Sequence, residues 1–76
     1  MSQKRDLARE IHALEDEMKE LESKRLRSMS SLLESVISKT EVSTEEARFF
    51  RTYSAEIEVK RERLAQLKKQ LGELLR

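Results

Sequence analysis

The sequence predicts an all-α protein, a two-helix antiparallel coiled-coil hairpin completed as a bundle by oligomerisation or by a partner chain. Three observations carry this. Apolar residues recur at alternating steps of three and four in both halves, which is the spacing of a heptad seam. Proline is absent and there is one glycine, Gly72, so little interrupts a long helix. Charged residues make up 41% of the 76 positions and hydrophobic ones 37%, a composition typical of long helices and coiled coils.

The first helix is expected over about residues 3–39. Leu7, Ile11, Leu14, Met18 and Leu21 step by four and three. Continued, that pattern reaches Arg25 and Ser28, whereas apolar residues resume at Leu26, Met29, Leu33 and Val36. The mismatch reads as a phase slip, a stutter that locally unwinds the seam. Serines are poor interior residues but do not forbid a helix, so Ser28–Ser31 is either continuous helix or a break.

A loop is expected at about residues 40–43. The second helix then opens on Ser43, with Glu46 three residues later as a capping box and Glu45 and Glu46 at the positive end of the helix dipole. It is expected to run over about residues 44–74. Phe50, Tyr53, Ile57, Lys60, Leu64, Leu67, Leu71 and Leu74 form its seam, broken only by Lys60.

A short connection makes long helices antiparallel neighbours. Folding the chain about residue 41 sets Leu7 near Leu74, Ile11 near Leu71, Leu14 near Leu67 and Met18 near Leu64. Met29 then meets Tyr53, Leu33 meets Phe50, and Lys60 falls opposite Glu22. Glu15–Lys19, Glu20–Lys24 and Glu56–Lys60 have the i,i+4 spacing that supports a helix by roughly 0.2–0.5 kcal/mol each. The whole chain, residues 1–76, is thus one hairpin.

The core of so small a chain supplies no more than roughly 3–5 kcal/mol. Without cysteine there are no disulfides or thiolate metal sites, and the single His12 cannot build a histidine cluster. No metal or cofactor is expected, and association with another chain is left as the supplement. Leu26, Leu32, Ile37, Phe49, Val59 and Leu75 lie off the seam positions. The excess gathers near the loop at Leu32, Leu33, Val36, Ile37, Phe49, Phe50 and Tyr53. These seven are the candidate partner-binding residues, docking a partner helix or a second copy, with a dimer expected. The alternative is that they only close the hairpin around its turn.

Sixteen basic residues against fifteen acidic give no broad field for nucleic acid or anionic membrane. The clusters Lys24-Arg25-Leu26-Arg27 and Lys60-Arg61-Glu62-Arg63 fall at similar heights, but acidic neighbours dilute them. Apolar runs are no longer than two residues, too short for a membrane span or a signal peptide. The polar start Met1-Ser2-Gln3-Lys4-Arg5 reads as a native N-terminus, and a cytoplasmic location follows. His12 reads as a solvated residue, and the glutamates are spread over charged faces without a pocket to shift them. No phosphate loop, zinc spacing or calcium loop occurs, so no catalytic residues are expected and an enzyme is not.

The two-helix layout, with a second helix opening on Ser43-Thr44-Glu45-Glu46 and carrying Phe50, resembles the small hairpin co-chaperones of type III secretion needle subunits. That resemblance implies pairing with a second chaperone and protection of a needle subunit from premature polymerisation. Locally, Leu33-Glu34, Val36-Ile37, Lys39, Ser43, Glu46 and Phe50 resemble the Hha/YmoA-type nucleoid-associated modulators, which bind the dimerisation region of a DNA-silencing protein. That family's acidic-histidine-arginine stretch is replaced here by Ser54-Ala55-Glu56-Ile57. The expected function is a non-enzymatic protein–protein interaction module, a small cytosolic co-chaperone or adaptor that binds a partner helix of a secretion-type assembly. The alternative is a regulatory protein acting on nucleoid-associated or transcription machinery through helix packing.

Overall fold

Each helix begins at a serine whose hydroxyl replaces a missing backbone acceptor. In the computed structural model, which describes residues 2–76, Ser2 Oγ accepts from the Arg5 amide at 3.4 Å and opens α1, Gln3–Ile37. Ser43 Oγ accepts from the Glu46 amide at 3.3 Å and opens α2, Thr44–Leu74. The two helices form a rod of 56 × 16 × 15 Å, and no strand occurs among the described residues. Ser28–Ser31 is helical, so α1 is one continuous element.

α1 stops two residues before the expected Lys39. The stop is a Schellman arrangement. Lys39 takes the left-handed conformation (φ 55°), its amide donates to the Val36 carbonyl at 3.2 Å, and the Thr40 amide donates to the Ser35 carbonyl at 2.9 Å. Glycine ordinarily fills such a position because a Cβ there is costly. Here Thr40 adds a second hold, its hydroxyl donating to the same Ser35 carbonyl at 3.2 Å.

The core lies away from the turn. Ile11, Met18, Leu21, Ile57 and Leu67 are its buried apolar residues, with Ile57 and Leu67 almost wholly enclosed. Tyr53 and Leu64 pack against the Met18–Leu21–Ile57 cluster. Leu7, Leu14, Leu71 and Leu74 are half-buried along the same line.

Cross-helix ion pairs flank the core. Lys60 donates to Glu17 at 2.9 Å, Arg63 to Glu10 at 3.1 Å, and Lys68 lies 3.9 Å from Glu15. This corrects the expected position of Lys60 opposite Glu22. Lys60 instead reaches along α1 to Glu17, five residues or a little over one turn N-terminal of Glu22. Tyr53 packs on the Met18–Leu21–Ile57 cluster. Of the three i,i+4 pairs expected within helices, Glu20–Lys24 forms at 3.7 Å, while Lys60 and Glu15 turn to the opposite helix.

Candidate functional site

The expected phase slip in α1 does not occur. The buried and half-buried line runs on through Leu21, Arg25, Ser28, Leu32 and Ser35 with its heptad spacing unchanged. The reason is geometric. A continuous α-helix without glycine or proline keeps its pitch, and α2 presents Phe50 and Ile57 in phase with that line. Serine therefore sits where a coiled coil usually places leucine: Ser28 is buried at 6% exposure. Leu32, expected off the seam, lies in it and is half-buried.

The displaced apolar residues form a second stripe about a quarter turn round α1. Leu26 is 57% exposed, Leu33 53% and Val36 63%, with Met29 at the edge of exposure. This corrects the reading of Leu33 as a seam residue facing Phe50. The half-buried Phe50 adjoins the stripe, because Leu26, Met29 and Phe50 line one cleft with Glu22 and Arg25. Ile37, 80% exposed, caps its turn-proximal end.

On the opposite flank, Phe49 and Tyr53 stack with ring centroids 6.3 Å apart and planes 23° apart. They line a shallow cleft of about 370 Å³ with Lys24, Arg27, Ser28, Ser31 and Glu46. The seven candidate partner-binding residues thus divide three ways. Leu33, Val36 and Ile37 are exposed on the stripe, Phe49 and Tyr53 line the other flank, and Leu32 and Phe50 are half-buried. Sequence reasoning left out Leu26 and Met29. Their three-four spacing with Leu33 and Val36 is the signal in the sequence that marks them.

Charges are sorted along the rod as well. The ion pairs of the described residues fall in the half remote from the turn and involve positions 10–24 and 58–68. Lys60, Arg61 and Arg63 of one basic cluster bond Glu17, Glu58 and Glu10. His12 is exposed beside Asp16, at 3.5 Å. No cluster of three metal-ligating side chains occurs among the described residues, and no helix is long and apolar enough to cross a membrane.

No protein-family model, curated protein or solved structure matches the chain.

Proposed function

We propose that the chain is a non-enzymatic binding module, a small cytoplasmic co-chaperone or adaptor that offers the turn-proximal half of its hairpin to a helix of another chain in a secretion-type assembly. One observation carries this reading. Between residues 26 and 37 Leu26, Met29, Leu33, Val36 and Ile37 lie outside while Ser28 lies inside. An apolar stripe at three-four spacing on a helix is the complement of a second amphipathic helix. Five exposed large apolar residues on one short stretch exceed the scattered exposure of an ordinary surface.

Capture from the native host with the wild-type chain and with Leu33→Asp tests the proposal. The expected partner is a helical subunit of an export assembly, held by the wild type and lost by the variant. A DNA-binding silencer in its place selects the regulatory alternative. A partner held equally by both chains removes the stripe from the function.

A further inference from the structure

We infer that the cleft between Phe49 and the Lys24–Ser31 face of α1 binds a nucleotide with an amino group on its base, the phosphate lying against α1 and the base on Phe49. The cleft lies on the flank opposite the apolar stripe, so this inference is independent of what the stripe docks.

The α1 wall of the cleft suits an anion. Lys24, Arg27, Ser28 and Ser31 follow at steps of three, one and three, which sets them on one face of the helix. Arg27 enters no ion pair among the described residues, and Lys24 is held only loosely, 3.7 Å from Glu20. A guanidinium, an ammonium and two hydroxyls are the donor set that a phosphate takes. A phosphate monoester carries a charge of about −1.5 to −2 at neutral pH, which matches two cations better than a single carboxylate does.

The α2 wall suits a planar base. Phe49 is 41% exposed and stacked on Tyr53, which itself packs against the core, so the ring is anchored and still has free area. Such a ring is a platform on which a base stacks. The half-buried Glu46 lines the same cleft as Arg27, yet the two form no ion pair. Opposite charges that share a cleft without meeting leave a gap for a ligand with an anion at one end and an amino donor at the other. Adenine and cytosine nucleotides are built that way. The volume of about 370 Å³ is at the small end of ligand sites, with room for one nucleotide.

Ser28 gives a second, independent sign. It is 6% exposed and borders the cleft, and its hydroxyl makes no hydrogen bond with another described residue. No enclosed polar side-chain atom among the described residues lacks a partner, so this hydroxyl is not sealed off. Buried polar groups are ordinarily hydrogen-bonded. A hydroxyl held between helices, unpaired and at the edge of a cleft that contains two cations, has its donor free for a phosphate oxygen.

Titration of the full-length chain with adenosine monophosphate, followed by amide chemical shifts, tests this. Saturable shifts are expected at Ser28, Ser31 and Phe49. Arg27→Gln should weaken binding about tenfold or more, the loss typical of a charged hydrogen bond, and Phe49→Ala about fivefold or more. Ser28→Ala should weaken binding without lowering stability, so lost affinity there is not lost fold. Inosine monophosphate, with a carbonyl in place of the amine, should bind less well, and Glu46→Gln should narrow that difference. Leu33→Asp should leave binding unchanged, which keeps this result separate from the role of the stripe. A single-stranded oligoadenylate that binds more tightly than the mononucleotide, and through Arg27, identifies a strand as the source of the nucleotide in the same cleft. Shifts that do not saturate at a few millimolar overturn the inference, as does inorganic phosphate binding as tightly as the nucleotide, or binding indifferent to Arg27→Gln and Phe49→Ala.

Discussion

At Lys39 the backbone turns left-handed without a glycine. A Cβ in that conformation costs roughly 1–2 kcal/mol, partly offset by the freedom that glycine would add to the unfolded chain. Lys39→Gly should therefore stabilise the hairpin by about 0.5–1 kcal/mol, read as a higher midpoint in urea with an unchanged slope. Ser28 is the second residue at which local chemistry and position disagree, a hydroxyl buried on the inner line of α1. Ser28→Ala removes that hydroxyl and improves helix propensity, for an expected gain of about 0.5 kcal/mol. Neither position announces itself in the sequence. A lysine gives no sign of a left-handed turn, and a serine between Leu26 and Met29 looks like a surface residue until the inner line is known.

The two helices differ in how far they could be read. α2 carries both signals that fix an element, a cap at Ser43 and an unbroken heptad from Phe50 to Leu74, and its boundaries match expectation. Ser43→Ala should cost about 1 kcal/mol, the usual loss of an N-cap, and lower the thermal midpoint. α1 carries two apolar registers, one over residues 7–21 and another over 26–36. Apolar residues are ordinarily assigned inward, so the second register suggests a slip. The helix instead keeps its pitch and leaves the second register outside. Which register wins depends on α2, and that information is not local to α1. Ile57, fully enclosed, joins the helices where the registers agree. Ile57→Ala should cost about 2–4 kcal/mol, a large share of the stability of so small a fold, and reduce helicity at room temperature.

The molecule as a whole is a rod with unlike ends. Away from the turn it has buried leucine, isoleucine and methionine, bracketed by cross-helix ion pairs. Nearer the turn Ser28 is buried within, while Leu26 and Leu33 lie exposed without. The ion pairs are partly exposed and worth about 0–1 kcal/mol each, so added salt should lower stability only slightly. The hairpin and the location of its core were legible because periodicity and the cap act over short distances. The exposed apolar stripe was only partly legible, because it is defined by what α2 fails to cover.

A bend ordinarily tethers its neighbours, and free tips fray first. Here the crook of the hairpin has the poorer packing, and backbone amide exchange should report it. Amides flanking Met18 and Ile57 should resist deuterium longest, while those near Leu33 and Phe50 exchange earlier despite the covalent closure beside them. A clasp over that region would slow the sites that are fastest in isolation, so the breathing of the crook is itself a gauge of whether anything holds it.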